Sequence, residues 1–125
     1  MVGPHKAIVI SSPQHRRQSL AALLRSIPDI GEIFESDNAY CLGMDSYFQP
    51  SIILCDCWID DKITLELIEP LRKQFADAKL LVLVKQNSQA VNPQNVDAVL
   101  SEGFSVDQFF QTVRHLVKNH KIRAL

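Results

Sequence analysis

The chain has 125 residues, which is enough for one domain that buries a hydrophobic core without disulfide or metal support. Hydrophobic residues make up 46% and charged residues 22% of the sequence, and the formal net charge is −1. This composition excludes a chain that is disordered for lack of apolar residues, and the charge gives no reason to expect nucleic acid or an anionic membrane as a partner. We expect one globular domain over residues 1–125.

The first part of the chain predicts two strands that alternate with two helices. The apolar run at residues 7–10 is rich in β-branched side chains and predicts a strand buried on both faces. Apolar residues at helical spacing predict a helix over 16–27, which Pro28 ends. A short second strand is predicted over 32–35 and a second helix over 39–48.

The middle of the chain contains two strongly apolar segments. Residues 52–55 predict a third strand that ends at Asp56. A helical pattern follows over 63–75, and Pro70 within it predicts a kink or a late start of the helix. Residues 80–84 form another continuous apolar run and predict a fourth strand.

The last part of the chain predicts one more strand and a long amphipathic helix. The stretch 86–95 is polar and contains a proline, so any helix there is predicted to be short. Residues 98–100 predict the fifth strand. The apolar face of the final helix is predicted to consist of Val106, Phe109, Phe110, Val113, Leu116 and Val117.

This alternation of strands and helices predicts an α/β fold. Apolar strands without a polar face are typical of a parallel sheet that helices cover on both sides. Right-handed crossovers and short loops favour the flavodoxin-like strand order 2-1-3-4-5, in a three-layer sandwich.

The cysteines and the N-terminus favour a reducing, cytoplasmic location. The chain has an odd number of cysteines, Cys41, Cys55 and Cys57, and their spacing does not match a zinc site. We expect them to pack as small apolar residues. The segment before Ala7 is too short and too polar for a secretory signal. No apolar run approaches the ~20 residues that cross a membrane.

Three segments resemble the receiver domain of bacterial two-component response regulators. Residues 50–56, Pro-Ser-Ile-Ile-Leu-Cys-Asp, resemble the run that closes the third strand of receivers and ends in the phosphoacceptor. Residues 98–105 resemble the fifth strand with its Lys-Pro-Phe-(Ser/Thr) ending, and residues 17–24 resemble the first helix. The resemblance covers nearly the whole chain and implies that Asp56 occupies the phosphoacceptor position.

The departures from the receiver pattern fall on the residues that handle phosphate. The resemblance places Ser11 and Ser12 where receivers carry two acidic residues that hold Mg²⁺, and neutral hydroxyls replace that charge poorly. Val84 stands in place of a Ser or Thr that bonds the phosphoryl group, and Glu102 in place of a Lys that pairs with it. We therefore expect a degenerate pocket of negative groups without a cation, and slow or absent phosphorylation.

Some roles of the pocket residues stay open. Asp60 and Asp61 could restore a metal site together with Asp56, and Lys62 or Lys85 could swing into the pocket. The carboxylate that ends the third strand could also serve only as a polar terminator that caps backbone N–H groups. We expect no catalytic residue and no cofactor, and Mg²⁺ only if the carboxylate takes phosphate.

The surface through which receivers dimerise or bind partners is altered as well. The segment between Val84 and Glu102 is shorter than its receiver counterpart, so the fourth helix is predicted to be shortened. The switch position on the fifth strand, Val99 or Leu100, is aliphatic where receivers use an aromatic residue. A phosphate-driven switch therefore lacks the contact that would distinguish its two states.

These observations predict a signalling module, not an enzyme, that acts mainly by binding a partner protein or itself. The alternative is a working receiver that takes phosphate on Asp56 in a phosphorelay, as the N-terminal part of a longer transcriptional regulator. A small nucleotide-binding protein or enzyme is disfavoured, because no glycine-rich loop follows the first strand and no nucleophile elbow surrounds Ser11, Ser12 and His15.

Trp58 could mark a protein contact or could pack against the first loop. We expect no membrane, nucleic acid or small-molecule substrate as partner.

Overall fold

A computed structural model describes residues 3–37, 48–56, 61–85 and 96–118, except the side chains of 61–67. These residues form five β-strands and three α-helices. In chain order they are β1 (His5–Ile10), α1 (Gln14–Arg25), β2 (Ile30–Ser36), β3 (Ile52–Asp56), α2 (Asp61–Gln74), β4 (Lys79–Val84), β5 (Ala98–Ser101) and α3 (Val106–Lys118).

All five predicted strands and three of the predicted helices are confirmed. The helices α1 and α2 begin slightly earlier than the sequence pattern indicates, and α2 contains Pro70. The helix predicted over 39–48 lies almost wholly outside the described residues, and the one over 86–95 lies wholly outside them. The shortened fourth helix therefore stays a prediction.

The five strands form one parallel sheet in the order β2-β1-β3-β4-β5, as predicted. Ile10 of β1 pairs with Ser36 of β2 on one side and with Cys55 of β3 on the other. Because the strands are parallel, their carboxyl ends lie along a single edge of the sheet, where ligands bind in this class of fold.

Helices cover both faces of the sheet and create two separate parts of the core. Both α1 and α3 pack on one face, and α2 packs on the other. The first part of the core contains Ala7, Val9, Leu20, Ala21, Leu24, Ile27, Ile30, Ile52, Leu54, Leu81, Leu83, Phe109, Val113, Leu116 and Val117. The second contains Ile8, Ile10, Ile53, Cys55, Ile68, Leu71, Phe75, Ala78, Leu80, Val82, Val84 and Val96. The three-layer sandwich is confirmed, and Cys55 is a buried packing residue as expected.

The predicted apolar face of α3 is wrong at one position. Phe109, Val113 and Leu116 are buried as expected, but Val106 is 52% exposed. Val106 is the first residue of the helix, and helical side chains point back toward the N-terminus, so its side chain extends beyond the edge of the core. A reciprocal cap precedes it, in which Ser105 and Gln108 each bond the other's backbone N–H, at 3.0 and 2.8 Å.

Among the described residues, no helix has the length and apolar character needed to cross a membrane.

Candidate functional site

The candidate site lies at the carboxyl edge of the sheet, where β1 and β3 end side by side. Ile10 pairs with Cys55, so the residues that follow them, Ser11 and Asp56, lie next to each other. The Ser11 hydroxyl donates a hydrogen bond to Asp56 Oδ2 at 2.7 Å. Ser11 is buried, and the side chain of Asp56 is only 1% exposed.

Arg16, in the first turn of α1, binds the same carboxylate. Its Nε donates to Asp56 Oδ2, and its Nη2 donates to Asp56 Oδ1 at 3.2 Å. The side chain of Arg16 is 28% exposed. This two-point geometry is the strong form of an arginine–carboxylate pair, since the planar guanidinium matches both oxygens. A deeply buried negative charge is thus compensated by a cation from the neighbouring helix.

The expectation of a pocket with negative groups and no cation is therefore wrong at Asp56. The guanidinium comes from Arg16, which the receiver resemblance did not single out. A signal was nevertheless present in the sequence: two adjacent arginines, Arg16 and Arg17, lie in a first helical turn without an acidic residue. The positive end of the helix dipole disfavours cations there, so arginines in this turn indicate a nearby carboxylate partner.

Ser11 is held through its backbone as well as its hydroxyl. Its N–H donates to the carbonyl oxygen of Ser36 at 3.0 Å, and its own carbonyl accepts from Arg17 Nη1 at 3.2 Å. The Nε of Arg17 lies 3.8 Å from Glu35 Oε1, and Glu35 Oε2 accepts from Arg25 Nη2 at 3.2 Å. We call Arg17, Arg25 and Glu35 the α1–β2 ion cluster. Through Arg17, this cluster contacts the loop that carries Ser11.

The remaining predicted pocket residues differ from Ser11 and Asp56 in their surroundings. Ser12 and Glu102 are exposed, and Val84 is buried in the core. The backbone N–H of Glu102 donates to the carbonyl oxygen of Val84 at 2.9 Å, so the chain is still paired with β4 there. Glu102 then enters a turn at Gly103, whose φ is 95°. The expectation that Glu102 adds negative charge inside the pocket is wrong in one respect, because the residue is exposed and its charge is not buried.

The described residues do not fit a Mg²⁺ ion at this edge. Mg²⁺ requires near-octahedral oxygen ligands and usually takes at least one free carboxylate oxygen. Here Asp56 is bound by a guanidinium, the Ser11 hydroxyl donates a hydrogen bond to the same carboxylate, and Ser12 is exposed. No group of three or more His, Cys, Asp or Glu side chains that could hold a metal occurs in the part of the chain that the structure describes.

Several predicted positions lie outside the described residues. They are Trp58, Asp60, the side chains of Asp61 and Lys62, and two of the cysteines, Cys41 and Cys57. The metal site formed by Asp56, Asp60 and Asp61 and the protein contact at Trp58 therefore stay predictions. The second proposed cation, Lys85, is described and is exposed.

Comparison with known proteins identifies the fold. No protein-family model and no curated protein matches the sequence. The structure is similar to the receiver domain of the Francisella response regulator 1452, with a TM-score of 0.75 and 19% identity over 94% of this chain and 99% of that one. It is also similar to a DNA-binding response regulator of the LuxR family from Staphylococcus aureus, with a TM-score of 0.75 and 16% identity over 90% and 98% of the chains.

A third similar structure is a pilus assembly-related protein from Burkholderia pseudomallei K96243. Its TM-score is 0.79 and its identity 16%, over 99% of this chain and 97% of that one. At such identities the likeness establishes the fold and leaves the function to be argued from the site. The chain has the receiver fold over nearly its whole length, as its sequence resemblance predicts.

Proposed function

We propose that this chain is a receiver-type signalling module that works through protein–protein interaction and does not depend on phosphorylation of Asp56. One observation carries the proposal: the guanidinium of Arg16 binds both oxygens of the carboxylate at the phosphoacceptor position. The proposal includes a cytoplasmic location and no enzymatic activity. It includes no direct binding of nucleic acid by this domain, in line with a net charge of −1.

The pairing opposes phosphoryl transfer because Asp56 must act as the nucleophile. An attacking oxygen must approach phosphorus in line, with a lone pair free to form the new bond. In this site Oδ2 accepts from Ser11 and Arg16, and Oδ1 accepts from Arg16. Oδ1 keeps one lone pair, but the side chain is only 1% exposed, so a phosphoryl donor reaches the carboxylate only after one of these contacts opens. Hydrogen bonds to charged groups contribute about 1.5–3 kcal/mol each. Breaking one of them before attack slows the transfer about tenfold or more.

The altered strand ends also remove the means by which phosphate would change the surface. A ligand shifts a conformational equilibrium only through contacts that differ between the two states. Val84 is buried and has no hydroxyl that could bond a phosphoryl group, and Glu102 offers no cation. The module then presents the same surface to its partner at all times, and partner concentration controls binding.

A second candidate function is phosphorylation of Asp56 with Arg16 as the compensating cation. The observation in its favour is the guanidinium itself, since arginine pairs with phosphoryl oxygens as readily as with carboxylates. The two candidates differ in one respect: whether Arg16 releases an oxygen of Asp56 when a phosphoryl donor is present.

Incubation with acetyl phosphate and Mg²⁺, followed by intact mass spectrometry, tests the proposal. We expect the mass of the wild-type chain to stay unchanged, while an active receiver treated in parallel gains about 80 Da. A heavier wild-type species that is absent from the Asp56→Asn variant would contradict the proposal and support the second candidate. The Arg16→Ala variant then reports the role of the guanidinium, because transfer increases if Arg16 blocks Asp56 and decreases if it pairs with phosphate.

Light scattering tests whether the module changes its association. The proposal expects the same molecular mass in solution before and after treatment with the donor. A change in mass that requires Asp56 would show that phosphate controls the surface.

A further inference from the structure

The Ser11 hydroxyl is bonded to the Asp56 carboxylate, and the position of Ser11 depends on residues that do not contact that carboxylate themselves. The Ser11 hydroxyl reaches Oδ2 only while the backbone of residue 11 keeps its direction, and two hydrogen bonds keep it. One is the N–H bond to Ser36, which continues the pairing of β1 with β2. The other is made by the Arg17 side chain, which donates from Nη1 to the Ser11 carbonyl at 3.2 Å.

We propose that Arg17 is a positioning residue for the Asp56 site and that Glu35 holds Arg17 in place. Through Ser11, the α1–β2 ion cluster then determines how often the Asp56 carboxylate becomes accessible. This inference rests on the proposed function, because it explains what keeps the carboxylate closed.

The burial of Arg17 supports a dependence on Glu35. The side chain is only 17% exposed, and its Nε is buried without a hydrogen-bond acceptor among the described residues. A buried cation is costly unless an opposite charge compensates it. The Glu35 carboxylate, 3.8 Å from Nε and itself 27% exposed, supplies that charge. Removing the charge of Glu35 therefore weakens the hold of Arg17 on Ser11.

The same contacts connect the pocket to the protein surface. Glu35 also pairs with Arg25, whose side chain is mostly exposed. A continuous series of contacts thus runs from Arg25 through Glu35, Arg17 and Ser11 to Asp56. The members lie in α1, β2 and β3 and in the loop between β1 and α1. Helix α1 packs on β1 and β2, and β1 pairs with both β2 and β3.

Carboxyl labelling with a water-soluble carbodiimide and a small amine tests the inference. Because the Asp56 side chain is only 1% exposed, its labelling requires a local opening, and the rate reports the population of the open state. Loss of one hydrogen bond is expected to raise that rate about threefold to tenfold. We expect this increase at Asp56 in Glu35→Gln and in Arg17→Ala, with partial recovery in Arg17→Lys, which keeps a cationic donor.

The matched control is Glu32→Gln. Glu32 lies on the same strand as Glu35 and pairs with Lys6 at 3.7 Å, outside the α1–β2 ion cluster. We expect its labelling profile to equal the wild type. The exchange rates of the Leu54 and Leu81 amides, in the fully buried central strands, serve as a measure of general destabilisation and should change little.

Two results would overturn the inference: Asp56 labelling in Glu35→Gln equal to that in Glu32→Gln, or an increase matched by the Leu54 and Leu81 amides. The assay contains no phosphoryl donor. Phosphorylation of the wild-type chain would refute the proposed function and would leave the labelling comparison valid.

Discussion

Arg16 and Asp56 lie 40 positions apart in the chain, and the guanidinium of the first binds both carboxylate oxygens of the second. The pair joins the first turn of α1 to the end of β3 across the edge of the sheet. Asp56 is the more deeply buried partner, so its charge depends on Arg16 for compensation. The carboxylate that the sequence resemblance places at the phosphoacceptor position is thus already paired with a cation.

Replacing Arg16 by alanine should destabilise the fold, because it leaves a buried carboxylate without its cation. We expect a loss of about 2–4 kcal/mol in the free energy of unfolding, measured by urea denaturation followed by circular dichroism. Arg25→Ala is the control, since that arginine pairs at the surface, and its loss should stay below about 1 kcal/mol.

A double substitution separates the lost pair from the uncompensated charge. Asp56→Asn in the Arg16→Ala background removes the buried charge, so the double variant should be more stable than Arg16→Ala alone. If Asp56→Asn changed the free energy of unfolding by the same amount in the wild type and in Arg16→Ala, the two residues would not be coupled.

Val106 and Phe109, near the start of α3, should differ strongly in their contribution to stability. Phe109 is fully buried and stacks against Phe104 at 5.9 Å between ring centroids, so Phe109→Ala should cost about 3–5 kcal/mol. Val106 is largely exposed, and Val106→Ala should change the free energy of unfolding by less than about 0.5 kcal/mol. Thermal and urea unfolding of the two variants check the buried face of the helix, and comparable losses would contradict it.

Gly103 should resist replacement for a reason of backbone conformation alone. Its φ is 95°, and a Cβ built there would meet no atom within 4 Å, so a side chain has room but an unfavourable backbone. We expect Gly103→Ala to cost about 1–2 kcal/mol in the free energy of unfolding, and Gly103→Asn to cost less, since asparagine tolerates positive φ better. Equal stability of the alanine variant and the wild type would refute this account of the turn.

Asp97 should stabilise the entry to β5. Its Oδ2 accepts from Arg72 Nη2 at 2.8 Å and from the backbone N–H of Leu80 at 2.7 Å. Asp97→Ala leaves that N–H without this acceptor, and we expect a loss of about 1–3 kcal/mol together with faster hydrogen exchange at the Leu80 amide. Lys73→Ala removes only the exposed pair with Glu69 and should have almost no effect.

The strand order and most of the core could be predicted from the sequence. Continuous apolar runs such as residues 52–55 and 80–84 are buried on both faces whatever their neighbours, because parallel strands have no polar side. The helical repeat likewise places Phe109 and Val113 inside. The same reasoning fails at Val106, since periodicity assigns a residue to a helix face and does not show where the sheet beneath that helix ends.

The amino-acid sequence by itself determined which segments become strands and helices and that Asp56 ends the third strand, because these depend on local patterns of side chains. Only the tertiary structure decided what the carboxylate meets. Arg16 reaches it because α1 packs against the sheet at one distance and rotation, whereas Glu102, at the end of β5, is exposed. Such pairings depend on positions in space to within the length of a hydrogen bond, and no spacing along the chain encodes that distance.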